Sequence, residues 1–129
     1  MSSNESAYLV GKMLDNNLAG IPYTPPTQLW MALLTTQPTN TTYSEFSGFN
    51  YGRAVVTFDP QAGYKTSNNA DVNFPIPSQQ WQNIKGFGIF DAQTGGNPLY
   101  LVGVDDPGIA PPLSGVTLTT GSVVIGALT

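Results

Sequence analysis

The apolar positions of this chain change period near residue 28. Before it, Ala7, Val10, Leu14 and Leu18 recur at helical spacing, so residues 5–18 are predicted as one short helix. Ser2 and Glu5 stand at the spacing of a capping box at its start. Gly20 and Pro22 supply the stop. Gly11 weakens the middle. A helix this short is marginal alone and must dock on something. Its apolar stripe is expected to pack on its own domain or, as an arm, on a neighbouring subunit.

After residue 28 the pattern is that of strands. Residues 28–36 are nearly all apolar, which predicts a strand covered on both faces. In residues 52–58, Ala54, Val56 and Phe58 alternate to one side. Val72 and Phe74 give a short strand stopped by Pro75 and Pro77. Residues 84–90 form a strand punctuated by Gly86 and Gly88, read as close backbone approach or a bulge. Residues 99–104, 116–118 and 122–128 complete the set. Asn68-Asn69, Thr94-Gly-Gly-Asn97 and Thr120-Gly121 read as turns. Asp105-Asp-Pro-Gly108 and Ala110-Pro-Pro112 read as a stiff loop. Short strands at this spacing predict an all-β fold, an antiparallel β-sandwich of jelly-roll type with one short N-terminal α-helix. Residues 1–22 would be a helical arm and 23–129 the sandwich domain. The strands at 29–36 and 54–58 are expected to be neighbours in it.

Composition narrows the functions such a fold can carry. Charged residues are 9% of the chain, against about 25% in ordinary globular proteins. The polar surface is therefore built from Asn, Gln, Ser and Thr, which suits wide contact between subunits. The net charge is −4, and the four basic residues, Lys12, Arg53, Lys65 and Lys85, are scattered. Phosphate recognition needs clustered cations, so neither nucleic acid nor an anionic membrane is expected as a partner. With no Cys and no His, thiol and imidazole chemistry is removed, along with most zinc and copper sites. The start of the chain has no basic region followed by an apolar core, so synthesis in a cytoplasm without an export signal is expected.

Few residues remain as candidates for a site. Asp105 and Asp106 are the one adjacent acidic pair, and before Pro107-Gly108 they read as turn formers. Asn68-Asn69-Ala-Asp71 is oxygen-rich but lacks the spacing of a calcium loop and reads as a turn. No catalytic, cofactor-binding or metal residue is assigned. Glu45 and Arg53, either side of Ser47-Gly48, are expected to close the intervening loop through a carboxylate–guanidinium fork. The alternative is that Arg53, the only arginine, reaches across a subunit interface. Trp30, inside an apolar run, is expected in the core. Trp81, in Gln79-Gln-Trp-Gln-Asn83, is either a core plug on a short helical turn or an interface anchor. Asn40-Thr-Thr42 matches a glycosylation sequon, discounted here for want of an export signal. Glu45, Tyr51, Arg53 and Trp81 are thus the structural or interface candidates.

Four segments, taken in order, resemble a family of small bacteriophage virion proteins. They are Tyr23-Thr-Pro-Pro-Thr-Gln-Leu-Trp-Met-Ala-Leu-Leu-Thr-Thr36, Glu45-Phe-Ser-Gly48 with Tyr51-Gly-Arg53, Asn69-Ala-Asp-Val-Asn-Phe-Pro75 followed by Trp81, and Phe87-Gly-Ile-Phe-Asp-Ala-Gln-Thr-Gly-Gly-Asn97. The resemblance departs at residues 105–112, which are more proline-rich. It implies a non-enzymatic virion component with a β-sandwich. The leading expectation is a capsid decoration (cement) protein, a homotrimer on the head that bridges subunits of the major capsid protein. The alternative is a tail-fibre or fibre-adaptor component involved in host attachment. A lectin or carbohydrate-active enzyme would need paired carboxylates beside an exposed aromatic ring.

Overall fold

In a computed structural model the chain is described over residues 5–104 and 108–126. The elements run α1 (Ala7–Ala19), β1 (Leu29–Leu34), β2 (Ala54–Val56), β3 (Lys65–Ser67), β4 (Val72–Asn73), β5 (Gly86–Phe90), β6 (Pro98–Gly103), β7 (Thr117–Leu118) and β8 (Val124–Gly126). The fold is all-β and antiparallel, with one short helix. A four-stranded sheet has the order β2-β1-β5-β6, and two two-stranded ribbons pair β3 with β8 and β4 with β7.

The near-continuous apolar run of β1 makes it a central strand. It pairs with β2 on one edge, Met31 opposite Ala54, and with β5 on the other, Ala32 opposite Gly88. Its side chains alternate between two buried faces. Met31 and Leu33 join Ala54, Val56 and Ile89 toward the ribbons, where they meet Val72, Phe74, Val116 and Trp81. On the opposite face, Ala32, Leu34 and Phe90 are also buried. The loop at 36–44 lies over that side. Tyr43 meets Phe90 edge-on with ring centroids 5.4 Å apart. Pro38 lies so close to Gly86 that a Cβ there would fall 2.8 Å from both the proline ring and the Val102 carbonyl. The expected close approach in this strand is therefore real, and a β-bulge follows between Ile89 and Phe90.

The helix starts later than its sequence suggested. Ser6, not Ser2, is the N-cap, its Oγ accepting from Leu9 N at 3.1 Å. Ser2 lies outside the described residues. Glu5 is not helical but bridges to Tyr100 beside β6. The competing partner is the sheet edge: Ser6 N donates to Leu99 O and Ala7 N to Asn40 O, and these bonds fix the chain as extended until Ser6. At the other end, Gly20 adopts a left-handed φ of 69° and its N–H returns to Asp15 O, the expected glycine stop. The apolar stripe does not dock on the domain. Leu9 is the buried residue of α1, while Val10, Leu14 and Leu18 are exposed.

Strand β3 escaped the sequence pattern because Lys65-Thr-Ser67 has no apolar alternation. The Val72 strand, the β5–β6 hairpin and the last strand fall where the pattern placed them. The Asp105-Asp106 turn lies outside the described residues.

Candidate functional site

The loop from β1 to β2 is folded back by short-range rules and then fastened by charge. Thr35 N donates to Ser44 O and Phe46 N to Leu33 O, so residues 44–46 run beside the end of β1. The chain then reverses through Gly48, Phe49 and Asn50, all at positive φ (83°, 52° and 66°). Two non-glycine residues in that region are costly unless their surroundings hold them. Here Phe49 O accepts from Ser78 N at 3.1 Å and from Trp81 Nε1 at 2.9 Å. Asn50 Nδ2 donates to Ile76 O at 2.7 Å.

Within this frame Glu45, Tyr51 and Arg53 converge. Arg53 Nε donates to Glu45 Oε2 at 2.9 Å and Nη2 to Oε1 at 2.8 Å, the bidentate geometry that matches guanidinium to carboxylate. Nη1 donates to Ala92 O and Gly95 O, both at 2.8 Å. The guanidinium carbon sits 3.9 Å from the centroid of Phe90, a cation–π contact. The side chain of Arg53 is 6% exposed and that of Glu45 23%. Tyr51 Oη donates to Glu45 Oε2 at 2.6 Å and accepts from Leu33 N at 3.1 Å. One arginine therefore ties the β1–β2 loop to the β5–β6 hairpin. The expected fork between Glu45 and Arg53 forms within the chain.

The electrostatics follow from that burial. Desolvation pushes the Tyr51 hydroxyl well above the usual tyrosine range, and its bond to Glu45 pushes it further. For Arg53, burial acts to lower the pKa, but the hydrogen bond and charge of Glu45 outweigh it and the net shift is upward. Both groups keep their protons at neutral pH. The Glu45 oxygens are filled by three donors, so this is a fastening, not an acid–base pair.

Trp81 belongs to the same neighbourhood but on the core side. It is 3% exposed and packs against Phe46 and Tyr51 at centroid distances of 5.3 and 5.6 Å. It lies within the core cluster, and no helical turn carries it. Trp30 departs from expectation the other way. It is half-buried and lines an open groove of about 540 Å³ with Arg53, Val55, Asp71 and Asn73. Its strand is interior, but Trp30 stands opposite Val55 of β2, which is itself exposed, so that part of the face is uncovered.

A second polar fastening had no signal beyond a turn. Asn68 is 1% exposed. Its Nδ2 donates to Ala70 O at 2.9 Å and Thr119 O at 3.0 Å, and its Oδ1 accepts from Val123 N at 2.9 Å. Asp71 accepts from Thr120 N and Thr120 Oγ1 at 2.9 and 3.0 Å. The oxygen-rich 68–71 segment thus holds the 119–123 turn, and its polar atoms serve backbone groups and the hydroxyls of Thr57 and Thr120. Among the described residues no group of acidic side chains could hold a metal ion, and no helix is long and apolar enough to cross a membrane. Asn40 of the sequon also serves the fold, donating from Nδ2 to Glu5 O at 2.6 Å.

A family model described as "Podophage GP4 fiber I protein gp80" matches residues 4–125. The chain belongs to this family. The match spans the helix, both fastenings and strands β1 to β7, and ends within β8. It makes the chain a small phage virion structural protein, the class that its four segments resembled. No curated protein matches the chain.

Proposed function

We propose that the protein is a non-enzymatic structural component of a podophage fibre, acting as a small rigid module in the attachment apparatus of the virion. The observation that carries this reading is the family match, which covers the fold from its first described turn to its last strand. The site geometry supports it. Glu45, Tyr51 and Arg53 spend their donors and acceptors on one another and on backbone carbonyls and the Leu33 amide, so the arrangement resists deformation and is not poised for reaction. The two loops that Arg53 joins stand at the same end of the sheet and offer a shaped, neutral surface to a neighbour. Rigid loops lose little entropy when they dock.

The experiment is to locate and count the chain on purified virions. Quantifying it against the coat protein, with antibody labelling seen by electron microscopy, should give a low copy number and label at the tail. A copy number matching the coat lattice, with label over the head, would reject the fibre reading in favour of a decoration protein bridging coat subunits.

A further inference from the structure

Strand β2 leaves part of its outer edge open. Leu33 N and Leu33 O face the β2 side of β1, where they meet Tyr51 Oη and Phe46 N. The two-residue period of a strand sends the backbone groups of Met31 and Leu29 to that side as well. Their partners are Ala54 and Val56, so the N–H and C=O of Val55 point away from the sheet. Thr57, two residues on, points the same way, and its carbonyl accepts from Asn69 N at 3.0 Å. Beyond that bond the two segments part, and the groove of about 540 Å³ opens between them. Neither backbone group of Val55 has a partner among the described residues.

The groove gathers groups that the fold has not used. Trp30 lines it, half-buried, and its Nε1 makes no hydrogen bond among the described residues. Among those residues every side-chain nitrogen or oxygen closed to water has a partner, so this indole N–H is open to solvent. Trp81 contrasts with it, its Nε1 being held by Phe49 O. Asn73 spends Oδ1 on the Thr117 hydroxyl and keeps Nδ2. Asp71 spends Oδ1 on Thr120 and keeps Oδ2. Together with Val55 they place donors and acceptors alike around one aromatic ring.

We propose that this groove is a binding site for a neutral saccharide. The ring of Trp30 offers an apolar face to the C–H side of a pyranose, and the spare groups suit its hydroxyls, each of which donates and accepts. The volume is that of a small-ligand site. Other ligands are disfavoured. An anion would face Asp71, while the charge of Arg53, the one cation among the described lining residues, is already matched by Glu45. A nucleic acid meets the same obstacle at its phosphates. A peptide adding a strand would have to pass between β2 and β4, whose Cα atoms come within 8 Å; an intervening strand needs about 9.6 Å. Hydrolysis of the sugar requires a second carboxylate. Asp71 is the one acidic residue among the described residues that line the groove, so the site binds without cleaving. The groove belongs to the fold for a protein of the tail or of the head, so its failure would leave the fibre reading standing.

The test is to screen the full chain on an array of neutral oligosaccharides, with sialylated and phosphorylated glycans beside them, and to titrate the sugars bound in solution. Neutral members should bind, and the bound sugar should protect tryptophan emission from acrylamide quenching. That signal reports on Trp30, because Trp81 is 3% exposed. Trp30→Leu should abolish binding. Asn73→Asp keeps the acceptor for Thr117 but exchanges the spare donor for an acceptor, and should weaken binding about tenfold, the worth of one hydrogen bond. Thermal unfolding certifies each variant, and Asn73→Asp decides the matter if Trp30→Leu does not fold. No neutral sugar bound at millimolar concentration, or binding of anionic glycans alone, would overturn the proposal. Binding of equal strength in Asn73→Asp and the unaltered chain would overturn it as well.

Discussion

The molecule is closed by two polar fastenings that do the same mechanical task with different chemistry. Around Arg53, a charged fork joins the β1–β2 loop to the β5–β6 hairpin. Around Asn68, a neutral amide joins the middle of the chain to the turn before β8. Both sites are shielded from water, and that makes the difference instructive. A buried charge is tolerable only while its partner is present. A buried amide needs its bonds too, but what remains after its loss is unpaired carbonyl and amide groups, each a smaller penalty. The charged fastening should therefore be the more fragile to a single change.

Arg53→Ala is expected to have the largest effect, a loss of about 3–4 kcal/mol, because it strands Glu45 and frees two loop carbonyls. Denaturant unfolding measures it, and a loss below that of an Asn68 variant would break the contrast. Asn68→Ala comes next at about 2–3 kcal/mol, from three bonds lost at a site closed to water. Its signature is local. Amide exchange should accelerate at Val123 and in the 119–123 turn, and should stay slow at Leu33.

Arg53→Lys sharpens the comparison further. An ammonium keeps the charge but cannot reproduce the fork or reach both Ala92 O and Gly95 O at once. About 2 kcal/mol should be lost, and the hairpin at 91–97 should loosen while Glu45 stays paired. If lysine restored full stability, charge alone would explain the site and the planar geometry would not matter.

Tyr51→Phe has the smallest effect at neutral pH, about 1.5 kcal/mol for the two hydrogen bonds of its hydroxyl, to Glu45 and from Leu33 N. Its diagnostic lies at high pH. The folded chain holds the Tyr51 proton above the usual range, whereas the unfolded chain releases it near pH ~10. Stability is thus fully present below about pH 10 and falls above it, by up to ~1.4 kcal/mol per pH unit from this group. Tyr51→Phe should make that decline shallower. It will not abolish it, since burial raises Tyr23 and Tyr100 as well. An unchanged alkaline slope would show that Tyr51 does not carry this dependence.

The two fastenings also differ in how far they could be read beforehand. A chain with a single arginine beside a Glu-x-Ser-Gly turn advertises an ion pair, because charges are scarce here and must be accounted for. Asn68 advertised a turn, because asparagine is common in turns and this surface is rich in it. Its burial depends on β3 pairing with β8, and Lys65-Thr-Ser67 carries no apolar alternation to announce that strand.

The sequence by itself determined the elements whose cause is local. Alternation and apolar runs specified the sheet strands, Gly20 stopped the helix, and the scarcity of charge limited the surface to neutral polar groups. Tertiary structure decided what depends on residues far apart. It moved the helix start to Ser6, because the edge of β6 competed for Glu5 and Ser6. It buried Trp81, left Trp30 at a groove, and exposed the apolar stripe of α1. Periodicity says which residues share a side of a helix; only the packed chain says whether anything covers that side.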